Sequence, residues 1–211
     1  MHAWWGPTYE HNAVRDTIYD YSERGLLGLA LEKLHLLVGI DGPSSLERPA
    51  DVLVIPNLVF ARKLPDGSRA IKAERVCLDV AVINALGPGH WAETSQEGGI
   101  AADNYGVTKS QRNDLANRCK AQGLQYRALV FEQQGGRSKE AELVIHAIAE
   151  AVALRENIEA ATVRREMLQR IALVIGRSVA SRIARRILRK PVGLMHWHRV
   201  LTAAQCLTTW H

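Results

Sequence analysis

Two aspartates in strand-like, apolar stretches constrain this chain most. Asp51 opens the run Asp51-Val52-Leu53-Val54-Ile55, and Asp79 sits inside Val76-Cys77-Leu78-Asp79-Val80-Ala81-Val82-Ile83. Both runs are rich in β-branched residues and read as strands. Aspartate is disfavoured there by propensity and by burial, so each carboxylate needs a partner or a cation. One answer is an ion pair with Arg48 or Arg75. The other is a shared divalent ion, because Mg²⁺ takes one or two carboxylates and keeps several waters.

The remaining pattern predicts a mixed α/β (α+β) domain. Val14, Ile18, Tyr21, Leu26, Leu29 and Leu36 predict a helix from Asn12 to about Leu37, although Gly25 and Gly28 interrupt it. Pro65-Asp66-Gly67-Ser68 has turn chemistry between two extended segments. The glycines at 87, 89, 98 and 99 bracket a mobile stretch. A helix is expected from Ile100 to Ala121 with Gly123 as its stop, then a third strand over Gln125–Phe131. After Gly135-Gly136, Ser138 caps a helix to about Asn157, and a last helix runs from Thr162 to Arg189, before Pro191. Three units are expected: a core over 1–157, a basic amphipathic helix over 158–190 and a loosely ordered tail over 191–211.

The chain has 211 residues and a net charge of +5, unevenly spread. Met1–Leu154 carries 16 Lys+Arg against 19 Asp+Glu, whereas Arg155–His211 carries 11 against 3. In the last helix Arg164, Arg165, Arg177, Arg182, Arg185, Arg186 and Arg189 fall mostly off the stripe of Val163, Met167, Ile171, Val174, Val179, Ile183 and Ile187. Such a helix either meets a polyanion or simply solvates its outer face. Three scattered cysteines, Cys77, Cys119 and Cys206, argue against a disulfide framework, and no apolar run reaches membrane-spanning length. An intracellular, reducing setting with no membrane partner is expected. His196, His198 and His211 have poor spacing for a metal site, and Trp4, Trp5 and Trp197 are as well explained by packing as by base stacking. Cys77 reads as a small buried hydrophobe.

Two further residues accompany the aspartates. Glu32 lies late in the first helical region. Lys109 lies in the helix after the second strand, four residues past Tyr105 and on the same helix face. A lysine beside a metal site can orient water or offset charge on phosphate.

In order and spacing, Arg48-Pro49-Ala50-Asp51-Val52, Leu78-Asp79-Val80-Ala81-Val82, Tyr105…Lys109 and Gly123…Leu129-Val130-Phe131-Glu132…Gly135-Gly136 resemble a restriction-endonuclease-like, PD-(D/E)XK domain. More narrowly, they resemble the domain that follows the reverse transcriptase in site-specific non-LTR retrotransposons. His11-Asn12-Ala13-Val14-Arg15-Asp16 resembles its opening, and the likeness covers about residues 11–188. The resemblance implies a mixed central sheet flanked by helices, with a C-terminal helical extension. It implies a nuclease that uses Mg²⁺ or Mn²⁺ on DNA and leaves a 5′-phosphate and a 3′-hydroxyl.

By the same resemblance, Asp51 and Asp79 are the metal-binding acids, with the Val80 carbonyl, and Glu32 completes the shell. Lys109 replaces the lysine expected at Ala81, with Tyr105 beside it. Glu132 either approaches the site or caps the Gly135-Gly136 turn. The seven arginines from Arg164 to Arg189 would hold phosphates. Ala50 separates Pro49 from Asp51, and Gly106 weakens the helix that presents Lys109. No cysteine precedes Cys77, so the zinc motif of many family members is missing, as are reverse-transcriptase motifs. The expectation is a detached or truncated endonuclease domain, nuclear in location, whose reverse transcriptase is encoded separately or lost. The alternatives are an inactive nucleic-acid-binding remnant and a helical interaction protein.

Overall fold

A computed structural model describes residues 7–31, 52–63, 68–87, 91 and 97–189. Helix α1 spans Pro7–Arg24. Proline suits a first helical turn because its missing N–H has no intrahelical acceptor there. Val14, Ile18 and Tyr21 recur at helical spacing and are fully buried. The helix does not run on to Leu37. Leu26 and Gly28 adopt left-handed backbone angles, φ 54° and 65°, which end it. Strand β1, Leu29–Leu31, follows directly.

The other strands are β2, Val52–Lys63; β3, Arg69–Ile83; and β4, Gln125–Glu132. They form one mixed sheet in the order β1-β2-β3-β4. The first two pairings are antiparallel, and β3 runs parallel to β4. β2 and β3 extend well beyond the apolar runs that announce them. Their outer halves pair from Leu58↔Glu74 to Lys63↔Arg69, past a register shift after Val54. The expected turn at Pro65–Gly67 lies outside the described residues.

Side chains alternate across the sheet. Val76, Leu78 and Val80 of β3, with Leu129 and Phe131 of β4, join the main core beneath α1 and α4, the latter spanning Lys139–Glu156. Helix α5, Ala160–Arg189, adds Val163, Met167, Ile171 and Ile175 to that core by packing on α1 and α4. Ile183 and Ile187, farther along the expected stripe, are about half exposed. Ala81 and Ile83, with Ala128 and Val130, face the other way, toward α2, Ile100–Gln111. A 3₁₀ turn, Arg112–Asp114, then leads into α3, Leu115–Ala121. The single helix expected from Ile100 to Ala121 is therefore broken, at Asp114, whose φ is 55°.

Several sequence signals act as expected. Ser138 Oγ accepts from Ala141 N at 3.2 Å, capping α4. Gly123, φ 68°, ends α3 while Leu124 N donates to Cys119 O at 3.0 Å. Glu132 proves to be structural. It is buried, and its carboxylate accepts from Ala102 N at 3.1 Å in the first turn of α2. A Cβ on Gly136 would lie 2.0 Å from Glu132 Oε2, so a side chain there would displace the buried Glu132 carboxylate.

On the main-core face, Arg127 of β4 joins Glu74 of β3 at 2.6 Å and Glu140 of α4 at 2.5 Å, and stacks 4.5 Å from the centre of the Phe60 ring. Burial alone would raise Glu74, but hydrogen bonds from Arg127 and Lys72 outweigh it and hold its carboxyl below the usual range. Glu142 is lowered in the same way, its burial outweighed by Arg137 and Arg164. Groups with depressed folded-state values stabilise the fold above the ordinary glutamate value of about 4.3, and that contribution fades as pH falls below it. Urea midpoints should therefore drop from pH 6 to pH 3. Arg127→Met should cost up to about 3 kcal/mol at pH 7, because it leaves the covered Glu74 carboxylate with only the exposed Lys72, and less at pH 3.

Candidate active site at Asp79 and Lys109

Asp79 lies on the α2 side of β3, opposite Ala128 in the parallel register. Its carboxylate is mostly covered, with 15% of the side chain exposed. Lys109, near the end of α2, reaches down to it. Lys109 Nζ donates to Asp79 Oδ1 at 2.8 Å and to the Val80 carbonyl at 3.4 Å. The other carboxylate oxygen, Oδ2, accepts from Tyr126 Oη at 2.5 Å. The aspartate is thus met from one side by a cation and from the other by a phenol, each a charge-assisted hydrogen bond.

Small residues make this reach possible. Ala101 and Ala102 of α2 are fully buried beside Ala81 and Ala128 of the sheet. Gly106 lies over β4, where a Cβ would meet Val130 Cγ2 at 3.7 Å and Ala128 Cβ at 3.8 Å. Those are ordinary contact distances, so the glycine is not required sterically, and α2 continues through it to Gln111. The expected weakness at Gly106 is conformational only.

Of the residues singled out in the sequence, the structure brings together Asp79, Lys109 and the Val80 carbonyl. Asp51 and Glu32 lie outside the described residues. Tyr105 packs against the Ala81–Ala128 cluster. The tyrosine bonded to the site is Tyr126 instead. The sequence places Tyr126 at the start of β4 but gives no local signal for it, because its partner is 47 residues away and parallel pairing sets the register. Cys77 is fully buried with Cys119 and Leu124, and Tyr126 packs on that cluster. A hydrogen bond with Cys119, reinforced by burial, pushes the Cys77 thiol up, as expected of an inert small hydrophobe rather than a nucleophile.

The arginines of α5 stand elsewhere. Asp79 and Lys109 occupy the α2 side of the sheet, whereas α5 packs on α1 and α4, over the opposite side. Arg164 is bonded to Glu142, Arg182 to Glu10 at 2.5 Å, and Arg185 to Ser181 at 3.1 Å. Arg165, Arg177 and Arg186 are exposed and carry no ion pair among the described residues, and Arg189 ends the helix. The three histidines and three tryptophans named above lie outside the described residues.

No protein-family model, curated protein or solved structure matches the chain.

Two measurements probe this geometry. Tyr126→Phe keeps the ring and removes the hydroxyl, so stability should fall by about 1–2 kcal/mol, read from urea unfolding. Gly106→Ala should raise stability by up to about 1 kcal/mol, since the added methyl fits and glycine is a poor helix former.

Proposed function

We propose that this chain is a metal-dependent DNA endonuclease domain with a restriction-endonuclease-like fold, of the kind that follows the reverse transcriptase in site-specific non-LTR retrotransposons. One observation carries the reading: a lysine on the helix after β3 reaches an aspartate inside that strand, at 2.8 Å. The resemblance requires that pairing of groups 30 residues apart. The mixed sheet with helices on both faces agrees with it.

The donors available suit a hard divalent cation. Asp79 supplies carboxylate oxygen and Val80 a carbonyl, the ligand types that Mg²⁺ or Mn²⁺ takes. Among the described residues there is no cluster of three acidic, histidine or cysteine side chains, so further protein ligands would have to come from Asp51 and Glu32. Val52, next in the chain to Asp51, is registered with Leu78, next to Asp79. When bound, the metal supplies an acidified water and polarises the phosphodiester. Tyr126 holds the Asp79 carboxylate in place through Oδ2. Lys109 donates to the attacking water or to the phosphate oxygens on which charge develops. Cleavage leaves a 5′-phosphate and a 3′-hydroxyl, the end that could prime reverse transcription.

Supercoiled plasmid incubated with Mg²⁺ should be nicked, and EDTA should stop the reaction. Asp79→Ala should abolish nicking while DNA binding is kept or strengthened, because a negative charge near phosphate is gone. Lys109→Met should slow it at least about 100-fold. Equal nicking by the wild type and Asp79→Ala would refute the assignment.

A further inference from the structure

The basic character of the sequence points to α5, but α5 packs on the side of the sheet away from Asp79 and Lys109. α2, the 3₁₀ turn and α3 carry Lys109, Arg112, Arg118 and Lys120 against two acids, Asp103, which pairs with Lys139, and Asp114. Arg75 of β3 stands on the same side of the sheet as Asp79, because residues four apart on a strand share a face. Its charge acts on the Cys77 thiol, and those of Arg118 and Asp79 act on Cys119, which places all of them around one buried cluster. Arg75, Arg112 and Lys120 are exposed and carry no ion pair among the described residues. On α5, Arg164, Arg170 and Arg182 are each bonded to an acid of α1 or α4, while Arg165, Arg177 and Arg186 are exposed without an ion pair among the described residues but stand on the helix layer away from Asp79.

We infer that the face formed by α2, α3 and the outward side of β3, with Arg75, Arg112 and Lys120 as its free cations, binds the phosphodiester backbone of a nucleic-acid duplex, and that α5 does not. A duplex is the partner that fits. The charges are spread over a strand and two helices rather than gathered in a pocket, and Arg75 stands about 13 Å along β3 from Asp79, at ~3.3 Å per residue. Such a spread suits successive phosphates better than a single anion. The inference deepens the nuclease reading by saying where its substrate lies, but its test is binding and does not depend on cleavage.

The experiment uses the full chain in EDTA, with a 20-bp DNA duplex, a 20-bp RNA duplex and phosphatidylserine vesicles as separate probes. One variant carries Arg75→Gln, Arg112→Gln and Lys120→Gln, and the other Arg165→Gln, Arg177→Gln and Arg186→Gln. The first should lose at least about 10-fold in duplex affinity near 0.1 M salt, with the slope of log K against log salt shallower by about 2–3. The α5 variant should stay within about 2-fold of wild type. Circular dichroism checks folding, and the double variant Arg112→Gln, Lys120→Gln replaces the triple if that fails to fold. Binding of both duplexes through this face assigns it to the shared phosphodiester chemistry, and DNA alone narrows it to one polymer. Unchanged affinity in the face variant, a greater loss in the α5 variant, or wild-type binding to vesicles but to neither duplex would overturn the inference. Nicking by a wild type whose face variant still binds normally would remove this surface and leave the nuclease standing. Binding through this face without any nicking would do the reverse.

Discussion

Asp79 stands between Leu78 and Val80, both fully buried, in a strand with neighbours on both edges. A carboxylate carried into such a sheet keeps its charge only if donors follow it there. The neighbouring structure supplies them. Parallel pairing with β4 brings the Tyr126 hydroxyl to one oxygen, and α2 brings the Lys109 ammonium to the other. The helix comes close enough because the seam between it and the sheet is lined with alanines. Larger residues at those positions would lift α2 and withdraw the lysine.

The two faces of the sheet are built on different terms. Toward α1, α4 and α5 lies a conventional core of branched aliphatic residues. It is fastened at its margins by ion pairs such as Arg127 with Glu74 and Glu140, and Arg182 with Glu10. Those arginines neutralise acids of the same molecule, so a count of basic residues overstates what α5 offers to a partner. Toward α2 and α3 the contact is thinner and made of small side chains, and Arg75, Arg112 and Lys120 remain exposed there. Net charge by segment measures composition, whereas availability depends on which acids the fold sets opposite.

Local signals in the sequence were legible where one residue decides the outcome. Ser138 at its cap, Gly123 after α3 and the apolar centres of β3 and β4 all stand where the pattern puts them. The failures have physical causes. Helix α1 stops early because Leu26, a residue type with no preference for left-handed geometry, adopts it before Gly28. Pro56-Asn57 interrupts the apolar pattern of β2 before Leu58, and the outer half of β3, Arg69–Glu74, mixes charged and apolar residues, so cross-strand pairing rather than hydrophobic pattern defines these outer halves. Within the site, Asp79 and Lys109 were legible as an acid inside an apolar strand and a lysine on the helix that follows it. Tyr126 was not, because its role follows from the register between β3 and β4, which brings it to a residue 47 positions away in the chain. Helix spacing puts Tyr105 on the same face of α2 as Lys109, but its ring packs onto alanines there.

The parallel pairing of β3 and β4 has a consequence for how the molecule is made. Neighbouring parallel strands cannot be joined by a tight turn, so β3 and β4 are linked by a long crossover that carries α2 and α3. The hairpin of β2 and β3 closes a far shorter loop and can form first. Until the crossover is complete, Asp79 lies on a sheet margin open to water, where a lone carboxylate is tolerated and discourages intermolecular strand pairing. The charge that would be a liability in the finished sheet thus guards its growing edge, and it is sequestered only when the last strand arrives with its phenol.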